Sequence, residues 1–438
     1  MKLSPDKIKK ILNNEIANIV TRSKSFSVSE TVFTRSRKLP LDKLLRLILS
    51  MSGKDLKCEI MDFFNFNTKL PTVSAFVQQR DKLSYKAFEQ LFHNFTNRAA
   101  NLRLHRGFRL LAVDGSDIHT PTNKNDSASF YPGANNQRPY NLFHLNALYD
   151  LVNHIYSDAL IQHSHFQNEH LAFTTMVDRN NSNIPTIYIA DRGFEAYNNL
   201  AHIQEADQFY LIRIKDITGN GIISAIDYPD SDEFDIQHSY TLTRKQTNEV
   251  KADPHLKYLP HNVNFDFLPS HSKKYDPLVT YTISCRIVRI KISEGKYETL
   301  ITNLSPNTFS ANDLKQLYSL RWGIETSFRS LKYTVGLRFF HSKKTEGIFQ
   351  EIFAKLTMYN FYELIVSCTV LSKKQRKYQY HVNFSSAVHL CRSFFLKKLS
   401  LSSLEALISQ YVVPIRQCGT NIRKITSKSA VCFLYRVA

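Results

Sequence analysis

The sequence predicts an α/β protein in which a single β-sheet carries the functional residues, with helical regions before and after it. Three apolar runs lie at 108–118, 141–151 and 154–162. A polar stretch at 120–138 lies between the first two, and only Val152 and Asn153 lie between the second and the third. Each run has the length and the β-branched and aromatic content of a strand. Helical and strand patterns then alternate from 168 to 215, so the sheet is expected to continue between helices.

The order of these segments is three strands, a helix, a strand, a helix and a strand, which is the order of a ribonuclease H-like core. We assign residues 106–215 to the first part of that core. Residues 216–296 contain most of the turn-forming sequence together with alternating strand pieces, which indicates a β-rich insertion. Residues 297–345 are then the second part of the core, and they include a helix at 311–336.

The regions outside the core are predicted to be helical. Residues 1–105 contain apolar residues at helical spacing, and we assign them to an N-terminal helical domain with a role in DNA binding. The pair of helix patterns between 71 and 102 fits a DNA-reading unit, although simple packing is the more common role of such a pair. Residues 346–438 form a mostly helical C-terminal region that begins with a long apolar helix.

The composition favours a polyanionic partner. The 438-residue chain has a net charge of +19 and a pI of about 9.5, as expected of a protein that binds nucleic acid. A generally basic protein without such a partner is the alternative. No apolar run approaches the roughly 20 residues that span a bilayer, and the six scattered cysteines form no CxxC pair. We therefore expect a soluble cytoplasmic protein that does not bind a membrane.

The predicted helix at 311–336 has an unusual polar face. At 100° per residue, Tyr318, Arg321, Glu325 and Lys332 fall on one narrow line that borders the apolar stripe. A carboxylate between two cations suits a metal ligand placed beside a phosphate. A solvated charged face is the ordinary alternative, and the helix alone does not decide between the two.

Two aspartates supply partners for Glu325. Asp114 and Asp191 each end an apolar run and each is followed closely by glycine, which places them at the functional edge of an α/β sheet. Three convergent carboxylates are suitable ligands for two divalent cations. Asp117 is an alternative to Asp114, but it is expected to lie in the turn. A zinc site is less favoured, because its candidate ligands match no zinc spacing: His163, His165, Glu169 and His170.

These residues resemble the three signature regions of DDE transposases of the insertion-sequence-four family. The matching segments are VDGS at 113–116, ADRGF at 190–194 and the Y-x2-R-x3-E-x6-K pattern of Tyr318, Arg321, Glu325 and Lys332. That family has a ribonuclease H-like catalytic core with a β-rich insertion between the second aspartate and the glutamate. The resemblance covers about half of the chain.

The resemblance implies a function for each signature residue. Asp114, Asp191 and Glu325 would be the catalytic residues and would hold two divalent metal ions, Mg²⁺ or Mn²⁺. The residues implied to contact DNA are Tyr318, Arg321 and Lys332. The implied reaction is metal-dependent cleavage at the terminal inverted repeats of an insertion sequence, followed by strand transfer into target DNA. A homodimer bridging two transposon ends, in a bacterial cytoplasm and associated with the nucleoid, is also implied.

Two other readings share the same residues. One is a transposase-derived DNA-binding protein that has lost catalysis, and the intact carboxylates argue against it. The other is a metal-dependent nuclease without strand transfer, which the residues alone do not distinguish from a transposase. Whether the reaction passes through a DNA hairpin is left open by the sequence.

Overall fold

The computed structural model describes residues 3–414 apart from 30–31, 34–37, 101, 134–137, 254, 274 and 370–378. The predictions for 370–378 and 415–438, within the C-terminal region, lie outside the described residues.

One mixed sheet organises the described chain. Its strands are β1 (Arg109–Thr120), β2 (Phe130–Tyr131), β3 (Tyr140–Asp150), β4 (Ile155–His163), β5 (Thr186–Ala190), β6 (Phe209–Ile214), β7 (Phe234–Thr243), β8 (Leu256–Tyr258), β9 (Thr280–Ser293) and β10 (Lys296–Thr302). They are ordered β2-β3-β1-β5-β6-β10-β9-β7-β8, and β4 also pairs with β3. The antiparallel run of β1, β3 and β4 and the parallel neighbours β5 and β6 confirm the predicted order of strands.

The predicted insertion extends this sheet. β10 pairs with β6 on one side and with β9 on the other, and β7 then pairs with β9. Strands of the 216–296 segment therefore continue the hydrogen-bonded ladder that contains β5 and β6. Buried side chains from β7 and β9, such as Leu242 and Ile287, join the apolar cluster on one face of the sheet.

Helices cover both faces of the sheet. They are α1 (Pro5–Thr21), α2 (Leu41–Ser50), α3 (Leu56–Phe63), α4 (Val73–Arg80), α5 (Lys86–Ala99), α6 (Glu169–Asp178), α7 (Tyr197–Glu205), α8 (Asn248–Ala252), α9 (Ala311–Ser319), α10 (Trp322–Arg329), α11 (Thr345–Cys368), α12 (Phe384–Phe395) and α13 (Leu401–Gln410). A small second sheet joins β11 (Tyr380–Val382) to β12 (Val412–Pro414). Residues of α6 and α7 pack on one face, and residues of α1–α5 and α9–α11 pack on the other.

Helix α11 lies at the centre of the larger apolar cluster. Its residues from Gly347 to Tyr362 are all buried, which explains why its sequence is apolar on every side. It packs against α1, α2, α5 and β4. Among the described residues, neither α11 nor any other helix is long and apolar enough to cross a membrane.

The prediction of one continuous helix at 311–336 was wrong. The segment forms α9, then α10, then a π-helical turn at Ser330–Thr334. Backbone N–H groups of Leu320, Arg321, Gly323 and Ile324 bond to carbonyls three residues earlier, which tightens the chain between the two helices. The apolar spacing does not reveal this break, because the tight turn and the later wide turn displace the side chains in opposite directions.

The prediction that a strand ends at Asp114 was also wrong. β1 continues to Thr120 because it pairs with β3 along this whole length, from Leu111 opposite Asp150 to Thr120 opposite Asn141. Asp114 therefore lies within a strand, and Asp117 lies in the same strand instead of a turn.

Candidate active site

The two aspartates lie side by side on neighbouring strands. β1 and β5 run parallel, and their pairing reaches Ala112 opposite Ile189. Two residues further along each chain are Asp114 and Asp191, so both reach the same edge of the sheet. Asp191 directly follows β5, and its Oδ1 accepts a hydrogen bond of 2.8 Å from the N–H of Gly193. That part of the sequence prediction, a carboxylate at the end of a strand, is observed.

Helix α10 brings Glu325 to these aspartates. The helix packs on β1, and its buried Ser327 hydroxyl lies 2.9 Å from the hydroxyl of Tyr156 on β4. Gly323 faces the turn after β3, where an added Cβ would be only 3.0 Å from Cδ2 of Leu151. A glycine at 323 thus allows α10 to lie close to the sheet.

The carboxylates influence one another electrostatically. Burial, together with the negative charges of Asp191 and Glu325, raises the pKa of Asp114 to about 6. The N–H of Gly115, which donates to Asp114 Oδ1 over 2.9 Å, and the charge of Arg321 act in the opposite direction. A shared site that disfavours negative charge in this way is also one that a cation would stabilise.

Arg321 neutralises part of this negative charge. Its Nη2 donates to Oε1 of Glu325 over 2.8 Å, and its side chain is only 12% exposed. Its Nε is buried without a hydrogen-bond partner among the described residues. The guanidinium also lies 5.7 Å from the ring centre of Tyr318. The alignment of Arg321 with Glu325 survives the break between the helices.

Tyr318 is buried, whereas Lys332 is partly open to solvent. Tyr318 is only 7% exposed and packs in the larger apolar cluster. Lys332 projects from the π-helical turn, and its Nζ donates to the backbone carbonyl of Asp117 over 2.7 Å. Burial lowers the pKa of Lys332. Both residues border the carboxylates, and Lys332 is the one with more of its surface open.

The carboxylates do not form a closed metal cage in this conformation. Across the described part of the chain, no group of three or more histidine, cysteine, aspartate or glutamate side chains is arranged to hold a metal ion. One reason is the ion pair of Glu325 with Arg321, which occupies an oxygen that a cation would need. The chemistry of the donor set, three carboxylates at one edge, still matches hard divalent cations.

One buried histidine near Asp114, His144, contacts two carboxylates, and the sequence did not predict these contacts. His144 on β3 lies opposite Asp117, and its Nδ1 is 2.8 Å from Asp117 Oδ1. Its Nε2 is 2.7 Å from Oε1 of Glu169 on α6. The two carboxylates raise the pKa of His144 to about 9 against the opposing effect of burial. Gly115 is needed here, because a Cβ would clash with His144 and Glu169.

The histidines considered for zinc do not converge. Nε2 of His163 lies 3.7 Å from Asp126, His165 stacks edge-on against Tyr131, and His170 contacts Asn199. Glu169 is held by His144 instead. These four side chains, on β4, on the turn at Ser164–Phe166 and on α6, thus have separate partners.

Comparison with known proteins identifies the class. A family model described as the transposase DDE domain matches residues 105–361, more than half of the chain. The chain therefore belongs to the DDE transposase family, and the resemblance read from the three signatures is confirmed. Members of this family are enzymes that cleave DNA and transfer strands, so the chain is a DNA transposase.

The similarity extends to a transposase of an insertion sequence. The chain is 25% identical over 361 residues to the Escherichia coli K12 protein described as transposase InsG for insertion sequence element IS4. The alignment covers 78% of this chain and 74% of that protein. A cryo-EM structure of the piggyBac transposase synaptic complex with hairpin DNA matches over 96% of this chain and 87% of that one, at 12% identity. Its TM-score of 0.45 is too low to bear on the argument.

Proposed function

We propose that Asp114, Asp191 and Glu325 are the catalytic carboxylates of a transposase that cuts at the terminal inverted repeats of an insertion sequence. The freed 3′-hydroxyl would then attack target DNA by in-line transesterification. The observation that carries this proposal is the placement of the three carboxylates at one edge of the sheet, where burial and the charges of Asp191 and Glu325 raise the pKa of Asp114 to about 6. The net charge of +19 suits a DNA substrate.

The same proposal gives the fold its functional divisions. Residues 106–215 and 297–345 would be a ribonuclease H-like core, with 216–296 as a β-rich insertion. The order of β1, β3, β4, α6, β5, α7 and β6 supports this reading. Residues 1–105 would be an N-terminal helical domain that assists DNA binding, and 346–438 a mostly helical C-terminal region.

Divalent metal ions are part of the proposal, as they are for the family in general. Two ions, Mg²⁺ or Mn²⁺, held by the three carboxylates would supply activation of the attacking oxygen and neutralisation of the leaving oxygen. The donor set fits because it is all oxygen, and because burial and the neighbouring negative charges raise the pKa of Asp114, which a bound cation would offset. The Arg321 guanidinium would have to give up its bond to Glu325 Oε1 for that oxygen to be free.

Arg321 has a second proposed contact. A guanidinium released from Glu325 can bind a DNA phosphate, and its unpaired Nε adds a donor. Lys332 would bind another phosphate from the π-helical turn. Tyr318 would support Arg321 from beneath, at 5.7 Å, and reach DNA only with its exposed edge. A homodimer that bridges two transposon ends is proposed as the active assembly.

The test is an assay of purified protein with Mg²⁺ and DNA that carries the inverted repeats bracketing the gene. Cleavage at the repeat ends followed by joining to a second DNA distinguishes a transposase from a nuclease. We expect Glu325→Gln to lower cleavage about a hundredfold or more, because it removes the charge of one metal ligand. Undiminished cleavage by Glu325→Gln would remove that residue from the catalytic set.

DNA binding by Glu325→Gln serves as the control. Binding without added metal should be retained, since the substitution removes no cation. Joined products in which the ends of two DNA molecules have been processed together would support the dimer. Products processed at a single end at low protein concentration would count against it.

A further inference from the structure

We infer that a basic cleft beside Asp191, formed by Arg192, Lys215 and Lys257, binds a backbone phosphate of the DNA strand that runs through the active site. The inference rests on the proposed function, because it assumes that DNA lies over the three carboxylates. It assigns to the 216–296 insertion a direct contact with substrate.

The cleft lies at the functional edge of the sheet. It has a volume of about 380 Å³ and is lined by residues that follow β5, by Lys215 after β6 and by Lys257 on β8. Arg192 and Gly193 belong to its wall and directly follow Asp191 in the chain. A strand of DNA whose reactive phosphate lies at Asp191 therefore has its neighbouring phosphates within reach of the cleft.

The three cations have little to neutralise them. Lys257 lies over the rings of Tyr197 and Tyr240, at 5.3 and 5.7 Å, and it forms no ion pair with a carboxylate among the described residues. Burial lowers its pKa, as expected of a cation without a partner. Arg192 likewise has no ion pair within the described ranges, and the Lys215 ammonium contacts only the carbonyl of Asn220, at 3.3 Å.

The start of α7 adds donors to the same cleft. The N-cap of this nine-residue helix is Ala196, which offers no side chain to cap the first N–H groups. Ala196 and Tyr197 both line the cleft. The Tyr197 hydroxyl is buried and has no hydrogen-bond partner in the described part of the chain. An uncapped helix start beside three cations favours an anion.

One carboxylate lines the cleft, but its oxygens are already in use. Glu195 Oε2 accepts from the N–H of Lys215 over 2.7 Å, and Oε1 accepts from the N–H of Ile222 over 2.6 Å. Glu195 thereby fixes the loop of the insertion to the core. Gly221 permits this approach, because a Cβ at that position would clash with Oε1. The cleft keeps a net positive charge after Glu195 is counted.

The chemistry of the cleft selects a phosphodiester. Lysine and arginine side chains together with helix N–H groups match the oxygens of a phosphate. Contacts of this kind position a strand without reading its sequence. The cleft is therefore expected to hold the strand in register with Asp191 for any base sequence.

The test combines a protein variant with a modified DNA. Full-length wild type and Lys257→Gln are titrated, without divalent metal, with duplexes in which one phosphate at a time near the outer end of the inverted repeat is a neutral methylphosphonate. We expect wild type to lose about tenfold in affinity at one or two positions, as for one charge-assisted contact. Lys257→Gln should bind unmodified DNA about tenfold more weakly and should be insensitive at those same positions.

The matched control is Lys251→Gln, which removes the same charge from an exposed site on α8 in the same insertion, outside the cleft. It should keep the wild-type profile, and thermal unfolding should show that Lys257→Gln is folded. A Lys257→Gln profile identical to wild type at every position overturns the inference. Cleavage that persists in Glu325→Gln would overturn the catalytic assignment alone, because the binding profile is measured without cleavage.

Discussion

His144 carries a positive charge that two carboxylates enclose immediately behind Asp114. Its ring nitrogens lie 2.8 Å from Asp117 and 2.7 Å from Glu169, and its side chain is only 7% exposed. Asp117 lies on the same strand, β1, as Asp114. The pair of contacts thus ties β1, β3 and α6 together close to Asp114, the proposed catalytic aspartate.

The raised pKa of His144 predicts a pH-dependent stability. The two carboxylates raise this pKa from 6.5 to about 9, so the folded protein binds the proton more tightly than the unfolded chain does. The stabilisation should be complete below pH about 6.5 and lost as the pH rises through about 9. Since Asp117 and Glu169 are half-exposed, we expect the loss to be about 1–2 kcal/mol. Chemical denaturation at pH 6 and pH 9 measures it.

The double variant Asp117→Asn, Glu169→Gln isolates this effect. It keeps the shape of the site and removes the two charges, so the pKa of His144 should return toward its ordinary value. The difference in unfolding free energy between pH 6 and pH 9 should then shrink by the same 1–2 kcal/mol. An unchanged difference would assign the pH dependence to other groups.

The sequence was a good guide to individual charged residues at the site and a poor guide to their partners. Asp191 and Glu325 were placed by strand and helix patterns that depend only on nearby residues. The contact of Asp117 with His144 depends on the register of two strands joined by a long polar segment, 120–138. No periodicity in the sequence determines that register, so the contact could not be predicted.

At the scale of elements, the helix is interrupted between α9 and α10, just before the proposed catalytic residue Glu325. The tight turn at Leu320–Ile324 separates α9 from α10. The π-helical turn that follows α10 carries Lys332, whose Nζ donates to the carbonyl of Asp117. The apolar stripe predicted from the sequence is buried as expected, with Leu317, Ile324 and Leu331 in one cluster. A single helix period does not encode the break itself.

The close approach of α10 to the sheet predicts that Gly323 is needed for activity more than for stability. A Cβ at 323 would be 3.0 Å from Leu151 Cδ2, so Gly323→Ala should displace α10 by a few tenths of an ångström. Alanine favours a helix over glycine by about 1 kcal/mol, which should offset the crowding in the free energy of unfolding. We expect cleavage to fall about three- to tenfold, with Tm little changed.

A second substitution tests the cause. Leu151→Val removes the Cδ atoms, and in combination with Gly323→Ala it should restore cleavage toward the level of Leu151→Val alone. Additive losses in the double variant would show that the two residues do not interact and that the effect of Gly323→Ala arises elsewhere.

At the scale of the whole molecule, the N-terminal helices and the sheet share one hydrophobic cluster. Residues of α1, α2 and α5 pack with α11, and α11 packs with β4 and with Tyr149 and Tyr156 beneath the site. The hydrophobic cluster therefore includes residues on both sides of the boundary predicted at residue 105. Sequence patterns did not indicate that α11 would join the two regions. A helix that is apolar on every side shows no preferred face, so its sequence does not identify the elements that it packs against.

A buried ionic cluster connects the same two regions. Arg80 of α4 lies 2.7 Å from Glu351 of α11, and the backbone N–H of His341 also donates to Glu351. Burial alone would raise the pKa of Glu351, but Arg80 and His341 lower it to about 2. Removing one partner of such a buried pair costs about 3–5 kcal/mol, because the remaining charge is left without its counterion.

Arg80→Met therefore tests whether the regions unfold together. We expect it to lower the free energy of unfolding by about 3–5 kcal/mol, and Arg80→Met with Glu351→Gln to recover part of that loss. The single tryptophan, Trp322, lies on α10 and reports on the region around Glu325, whereas far-ultraviolet circular dichroism reports on all helices. One cooperative unit requires Arg80→Met to move both denaturation curves by the same amount. A tryptophan curve that stays at its wild-type midpoint, while the dichroism curve divides into two steps, would instead show that residues 1–105 unfold as a separate domain.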